Sequence, residues 1–301
     1  MMTAIALSTM VLVACGGGAG EDGGSTSVTT GTISGTATKG PVSGATIRAY
    51  AIDQGVKGRQ LGSAQTDSSG NFTMRVDVYS GPIMLQLHGG TYADEATGTR
   101  MNMLDTEMSC AVPSINVTAG STVTGVQITP LTSMAHAWAE HMSGGLSTTN
   151  ITTANMRIGT AYLGAGIDIV MTHPIDPTKV GSANGASIDA RNYGMILAAM
   201  SQQAQRLGMT ATSATLVTAL HEDAADGVMN GMMDGTPVTM KGMNGMANGP
   251  HMTAATGSGD LATAMATFVH GPMNRSGVTG TNEMQELVEQ LHHLHDSGGH
   301  L

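Results

Sequence analysis

Two different periods of hydrophobic residues divide the chain near Thr129. Between residues 32 and 128, apolar and polar residues alternate in short runs, separated by turns rich in Gly, Pro, Asn, Asp and Ser. Period two is the pattern of half-buried β-strands, and short strands at regular spacing are typical of a sandwich. From residue 129 to 301, apolar residues recur at helical spacing instead. The pattern predicts an α+β chain, in which an antiparallel β-sandwich precedes an irregular α-helical domain.

The individual elements follow from the same two periods. Buried faces are predicted for two strands, the first carrying Phe72, Met74, Val76 and Val78 and the second carrying Ile83, Leu85 and Leu87. In the second half, Thr129 and Pro130 form a suitable N-cap and first-turn pair for a helix. Further helices are predicted over 153–163, 187–207, 213–224, 260–270 and 282–295.

The first 15 residues have the build of a signal peptide that ends at a cysteine. Residues 2–14 are apolar or small, and such a run is too short to cross a bilayer as a stable helix. Its end, Leu12-Val13-Ala14-Cys15, resembles the lipobox of bacterial lipoproteins, whose cysteine is lipidated and becomes the first mature residue. No Lys or Arg precedes the run, which departs from that family, and Gly16 in place of Asp points to the outer membrane. We therefore expect membrane attachment through a lipid on Cys15; the alternative is a buried segment with a chance cysteine.

The expected lipid on Cys15 affects the interpretation of the next segment and of the other cysteine. Residues 16–31 are rich in Gly, Ser and Thr and have little to bury, which is typical of a flexible tether. If Cys15 carries lipid, Cys110 has no partner for an intramolecular disulfide, because the chain has 2 cysteines. In an oxidising compartment such a cysteine is either buried or paired with another chain. We expect Cys110 to be buried.

Two motifs in the β-rich half point to a known kind of module. Residues 40–47 (GPVSGATI) are followed by residues 66–72 (TDSSGNF), and this order resembles a carboxypeptidase regulatory-like, transthyretin-like domain over about 32–90. The resemblance implies a small seven-stranded sandwich that serves as a non-catalytic spacer or binding unit. Residues 129–139 (TPLTSMAHAWA) also loosely resemble the helical half of bacterial envelope lipoproteins that carry this module.

Composition and missing motifs narrow the function. The chain has 12 basic and 22 acidic residues, a net charge of −10, so no positive footprint for nucleic acid is expected. It has no Gly-x-Ser-x-Gly elbow, no phosphate-binding loop of the Gly-x-x-x-x-Gly-Lys type and no convincing dinucleotide motif. We expect a non-catalytic, lipid-anchored protein of the bacterial cell envelope, in the outer membrane, with a binding or structural role. A hydrolase with its site among the helices is a residual hypothesis.

The segment 229–252 departs most from an ordinary composition. Among Gly, Asn and Asp it contains seven methionines, namely Met229, Met232, Met233, Met240, Met243, Met246 and Met252. Thioether sulfur suits Cu(I) or Ag(I) and needs no deprotonation. An alternative function is therefore a periplasmic or surface Cu(I)/Ag(I)-binding protein that uses Met240, Met243, Met246, His251 and Met252. The competing interpretation is that methionine, which occurs 25 times in the chain, is a flexible core filler.

The last predicted helix offers a second candidate metal site. Glu289, His292, His293 and Asp296 fall at i, i+3, i+4 and i+7, so they share one helix face. Imidazole and carboxylate together suit Zn(II), Cu(II) or Ni(II). The competing interpretation is a solvated polar face near the end of the chain.

Other histidines and acidic turns are interpreted as structural. His136 and His141 are five residues apart on the first predicted helix and do not share a face. The segment 221–235 (HEDAADGVMNGMMDG) lacks the second histidine of a zincin motif and the ligand spacing of an EF-hand loop. Its Asp-Gly and Asn-Gly pairs predict tight turns, with a looser calcium site as the alternative.

Overall fold

Strands precede helices in the folded chain. The computed structural model describes residues 29–103, 106–209, 213–240, 249–280 and 282–301. The first half of this part is β-rich and the second is helical, which confirms the predicted α+β class. Buried side chains from strands and helices form one continuous hydrophobic core, so the two halves fold against each other.

The strands form two larger sheets and two short ribbons. In chain order they are β1 (Thr30–Ala37), β2 (Thr46–Asp53), β3 (Val56–Gln65), β4 (Asn71–Asp77), β5 (Tyr79–His88), β6 (Thr91–Ala93), β7 (Arg100–Asn102), β8 (Met108–Val117), β9 (Thr122–Ile128), β10 (Met232–Met233) and β11 (Thr236–Pro237). The three-stranded sheet has the order β4-β1-β9 and the four-stranded sheet the order β3-β2-β5-β8. The ribbons pair β6 with β7 and β10 with β11.

The three-stranded sheet is not wholly antiparallel. β1 pairs antiparallel with β4 but parallel with β9, with a register shift between Ile33 and Gly35. A parallel pair needs a long connection, and here the whole four-stranded sheet lies between β1 and β9 in sequence. The expectation of an entirely antiparallel sandwich is therefore wrong for this pair.

Strand β4 shows how far local alternation determines burial. Phe72, Met74 and Val76 are buried while the residues between them are exposed, as predicted. Val78 was expected on the same face, but its side chain is 43% exposed. That expectation is wrong because β4 ends at Asp77, so the period-two pattern no longer applies.

The four-stranded sheet is covered on both faces. Residues 108–112 of β8 are buried without alternation, and so are residues 83–85 of β5. A continuous buried run indicates that neither face of a strand is open to solvent. The outer cover comes from the helical half, whose first two helices lie against β8.

The helices follow the predicted pattern closely. They are α1 (Pro130–His141), α2 (Thr148–Leu163), α3 (Ile188–Arg206), α4 (Ser213–Ala224), α5 (Gly259–Val269) and α6 (Asn282–Asp296). Helix α2 begins earlier than the expected residue 153, because the Ser147 hydroxyl caps it by accepting a 3.2 Å hydrogen bond from the Asn150 N–H. Among the described residues, no helix is long and apolar enough to span a bilayer.

Helix α1 begins at a buried capping box. Thr129 Oγ1 accepts a hydrogen bond from the Thr132 N–H at 3.2 Å, and Thr132 Oγ1 accepts one from the Thr129 N–H at 2.8 Å. The Tyr193 hydroxyl of α3 lies 2.6 Å from Thr129 Oγ1. The Thr129 hydroxyl therefore caps α1 and also links α1 to α3.

Replacing Thr129 with alanine should lower the free energy of unfolding by about 1–2 kcal/mol, since the helix loses its cap and Tyr193 loses a buried partner. Thr129→Ser keeps the hydroxyl and should lose clearly less. Urea unfolding followed by far-UV circular dichroism measures both. Equal losses for the two variants would mean that the methyl group, and not the hydroxyl, accounts for the effect.

Buried charges join the two halves of the chain. Lys39 and Glu95 are 0% and 2% exposed, and their charged atoms are 3.3 Å apart. Ser201 of α3 donates to Glu95 Oε2 at 2.6 Å and accepts from Lys39, while the Gly40 N–H donates to Glu95 Oε1 at 2.6 Å. Burial alone would lower the pKa of Lys39, but Glu95, together with Tyr92 and Asp94, outweighs burial, so the pKa is raised.

The acidic segment after α4 is held together by its own carboxylates. Asp223 Oδ1 accepts a hydrogen bond from the Gly231 N–H at 2.6 Å. Asp226 accepts from the Val228 and Asp234 N–H groups, each at 3.0 Å. These carboxylates form the tight turns that the Asp-Gly and Asn-Gly pairs predict.

Candidate functional site

A cleft of about 450 Å³ lies between the four-stranded sheet and helices α1 and α4. It combines histidines, carboxylates and a thioether. The residues that carry this chemistry are Lys57, Met84, Gln86, Glu107 and Ser109 on the sheet side and His136, Glu140, His221 and Glu222 on the helix side. We call it the two-histidine cleft.

The register of β5 and β8 determines which sheet residues reach the cleft. Met84 pairs with Ala111 and Gln86 pairs with Ser109. Because side chains two residues apart share a face, these residues lie on the face opposite Ile83, Leu85 and Leu87. The helices cover this second face, so Met84 is only 3% exposed.

Hydrogen bonds to Ser109 position His136 in the cleft. Near the start of α1, Ser133 Oγ accepts from the Ser109 N–H at 2.9 Å, and Thr132 Oγ1 donates to the Ser109 carbonyl at 2.8 Å. His136 lies one turn further along α1, with Nδ1 3.0 Å from Ser109 Oγ. The other ring nitrogen, Nε2, is buried and has no hydrogen-bond partner among the residues that the structure describes.

A second histidine approaches the first from α4. The ring centroids of His136 and His221 are 6.3 Å apart, with their planes 31° from each other. Burial lowers the pKa of His136 to about 3, and His221 and Lys57 add to this shift. Burial also lowers the pKa of His221, against the opposing effect of Glu107. Both imidazoles are therefore neutral at pH 7, and a neutral imidazole has one nitrogen that carries a lone pair.

Acidic side chains predominate around the histidines. Glu107, Glu140 and Glu222 line the cleft together with one cation, Lys57. Glu107 is partly engaged, since Gln86 Nε2 donates to its Oε2 at 2.6 Å. Lys57 lies 4.8 Å from the centre of the Tyr50 ring. The charge balance favours a cationic ligand over an anionic one.

An apolar groove of about 400 Å³ lies elsewhere, between β8, α2 and the loop that follows α2. Met156 and Met171 at its edge are 55% and 47% exposed. Its one carboxylate, Asp168, accepts hydrogen bonds from the N–H groups of its own turn. The groove therefore offers less directed chemistry than the two-histidine cleft.

The methionine-rich candidate site is described only in part. Met243 and Met246 lie outside the described residues. Met240 and Met252 are 2% and 6% exposed and belong to the hydrophobic core. His251 is exposed, with Nδ1 3.2 Å from Thr239 Oγ1. The two described methionines thus pack as core residues at the paired base of the loop, and metal binding there remains a prediction.

The second candidate set lies on the solvent side of α6. Glu289, His292, His293 and Asp296 are exposed, and Glu289 Oε1 accepts a hydrogen bond from Gln285 at 2.9 Å. Within the described ranges, no three His, Cys, Asp or Glu side chains are grouped so that they could hold a metal ion. Metal binding by this helix also remains a prediction.

The structure tests the expectation for one of the two cysteines. Cys110 on β8 is fully buried and free, which confirms the expected burial, and burial raises the pKa of its thiol. Cys15 lies outside the described residues, so its lipidation remains a prediction.

Sequence reasoning missed the two-histidine cleft. The spacing of His136 from His141 indicates no site, and the sequence around His221 indicates only an incomplete zincin motif and tight turns. The one local signal was the alternation in β5, which places Met84 and Gln86 on the face opposite the predicted core. Nothing local indicates that α1 and α4 bring their histidines to that face.

The fold and cleft define an α+β protein with a β-rich first half. No family model matches the chain, and no curated protein matches it. It is similar to a DUF3823 family protein from Parabacteroides merdae, with 12% identity over 33% of this chain and 45% of that one, and a TM-score of 0.21. It is also similar to a 9R-lipoxygenase from Cyanothece, with 14% identity over 32% of this chain and 16% of that one, and a TM-score of 0.19. The chain thus spans less than half of either protein, and such scores define neither a sandwich type nor a function.

Proposed function

We propose that this chain is a lipid-anchored protein of the bacterial cell envelope that binds a small ligand in the two-histidine cleft. The observation that carries the binding role is His136 Nε2, a buried nitrogen of the cleft to which no described residue offers a hydrogen bond. Leaving such a group unsatisfied costs about 1–3 kcal/mol, and a bound ligand would offset that cost.

The anchor is supported by the amino-terminal sequence. Leu12-Val13-Ala14-Cys15 ends an apolar run and a Gly/Ser/Thr-rich segment over 16–31 follows it, which is the order expected of a lipidated cysteine and its tether. Gly16 in place of Asp supports the outer membrane.

The proposed module in the first half is a transthyretin-like sandwich. Its support is the pair of motifs at 40–47 and 66–72 together with seven strands in two sheets, β4-β1-β9 and β3-β2-β5-β8. In this module a non-catalytic spacer or binding role is expected.

Binding is favoured over catalysis by the geometry of Ser109 and His136. Their 3.0 Å contact resembles a nucleophile and its base. In hydrolases of that kind a third group orients the second nitrogen of the imidazole, whereas Nε2 of His136 has no hydrogen-bond partner in the described part of the chain.

The anchor can be tested with the two cysteines as a matched pair. The full chain, expressed in a Gram-negative bacterium with labelled palmitate, should carry label and sediment with the outer membrane. Cys15→Ala should lose both, whereas Cys110→Ala should keep both because Cys110 is buried. A Cys15→Ala chain that still carries label or remains membrane-bound would contradict the anchor.

A further inference from the structure

We propose that the ligand of the two-histidine cleft is a single Cu(I) ion, bound by His136 Nε2 and His221 with the thioether of Met84 as third donor. This inference rests on the proposed function, because it names the ligand of the same cleft. It places the soft-metal site between the sheet and the helices instead of in the methionine-rich loop.

The spacing of the two imidazoles fits one shared ion. Metal–nitrogen bonds to histidine are about 2 Å long. If two rings approach an ion from opposite sides, their centroids are separated by two such bonds plus the distance from each nitrogen to its ring centre. The observed 6.3 Å between His136 and His221 is in the range that this arrangement requires.

Ser109 provides a hydrogen-bond acceptor for the tautomer of His136 that a metal needs. When Nδ1–H donates to Ser109 Oγ, 3.0 Å away, the lone pair of the ring lies on Nε2. A hydrogen bond of this kind on the second nitrogen is the usual support of a metal-binding histidine. Ser109 is itself held by the first turns of α1, so it acts as a positioning residue.

Met84 supplies the soft donor on the sheet side. It lines the same cleft, is 3% exposed, and lies on the sheet face that Ser109 shares. Two neutral imidazoles and a thioether suit Cu(I) and need not lose a proton when it binds.

The same donors argue against Zn(II). Zinc sites are usually built from four ligands drawn from Cys, His, Asp and Glu, and the described residues contain no group of even three of these placed to hold an ion. The carboxylates of Glu107, Glu140 and Glu222 then act at a distance, making the cleft attractive to a cation.

The test is an anaerobic titration of the full chain, purified in detergent, with Cu(I) against a colorimetric Cu(I) chelator. The wild-type chain should bind one ion. His221→Gln should weaken binding at least 100-fold and Met84→Leu at least 10-fold. X-ray absorption at the copper edge should show two nitrogen scatterers and one sulfur scatterer.

Two controls identify the site. Met195→Leu removes a fully buried thioether on α3, away from the cleft, and should leave Cu(I) affinity unchanged. A Met243→Ile/Met246→Ile double variant should also bind normally. Because Leu nearly conserves the volume of Met, the Met84 variant keeps the test decisive if His221→Gln does not fold.

Several outcomes would overturn the proposal. They are a folded wild-type chain that does not bind Cu(I), binding that His221→Gln and Met84→Leu leave intact, and binding that is lost in the loop variant instead. If the chain carries palmitate but does not bind Cu(I), the proposal that Cu(I) is the ligand is refuted. The proposal of a lipid-anchored protein that binds another ligand is not affected. A chain without palmitate refutes the anchor, whatever its Cu(I) affinity.

Discussion

Replacing Lys39 with methionine should lower the free energy of unfolding by about 3–5 kcal/mol, the usual cost of removing one partner from a buried ion pair. The loss arises because Glu95, 2% exposed, would keep its charge without Lys39 or would have to take up a proton. Ser201 would also lose the ammonium that donates to it. Urea unfolding monitored by circular dichroism measures the change.

A second substitution separates the buried charge from loss of packing. In the Lys39→Met/Glu95→Gln double variant residue 95 no longer carries a charge that has lost its partner, and the amide oxygen of Gln can still accept from the Gly40 N–H. The double variant should therefore recover a large part of the stability. Arg59→Met breaks the exposed pair with Asp77, whose side chains are 56% and 44% exposed, and should cost less than about 1 kcal/mol. If Lys39→Met costs no more than Arg59→Met, the buried pair does not hold the two halves together.

The helices could be predicted because their signals are local. Thr129 and Pro130 identify the start of α1 from adjacent residues, and the observed capping box shows the mechanism. The bounds of α4 were predicted to the residue, since apolar spacing ends where the acidic turns begin. In the same way, alternation along β4 predicted its buried face up to the last residue of the strand.

What the sequence could not indicate depends on contacts between distant segments. The parallel pairing of β1 with β9 joins the two ends of the β-rich half, and no pattern within either strand encodes its partner. Lys39, Glu95 and Ser201 lie on separate elements and meet only in the folded chain. Lysine side chains are rarely fully buried, so nothing in the composition indicates that Lys39 belongs to a buried network.

The two-histidine cleft was missed for the same reason. Spacing rules compare residues within one helix, and His136 and His221 belong to different helices. Their meeting depends on how α1 packs on β8 and how α4 packs on α1. The methionine-rich segment, by contrast, is singled out by composition alone, and two of its described methionines, Met240 and Met252, are core residues.

Replacing Asp223 with asparagine should remove a loss of stability that the metal-free wild-type protein undergoes as pH rises from about 4 to 7. Burial raises the pKa of Asp223 to about 7, against the lowering effect of the N–H groups that it accepts from. An unfolded Asp has a pKa near 3.9, so in this range the folded state holds a proton that the unfolded state does not. Stability from this group is therefore present at low pH and is lost as pH rises towards 7.

The measurement is the difference in unfolding free energy between Asp223→Asn and the wild type, with a metal chelator present. That difference should move in favour of the variant by about 1.4 kcal/mol for each pH unit between 5 and 7. The wild-type curve alone would hide the effect. Burial lowers the pKa of His136 to about 3, so the stability that this neutral histidine contributes to the protein decreases as pH falls below about 6.5.

Asp67 is the control of opposite sign: hydrogen bonds from Asn71 and Ser69 lower its pKa. Asp67→Asn should therefore lose stability relative to the wild type as pH rises through the lowered range. A difference for Asp223→Asn that stays constant with pH would show that this carboxyl is already ionised well below pH 7, and that burial at the end of α4 does not control its charge.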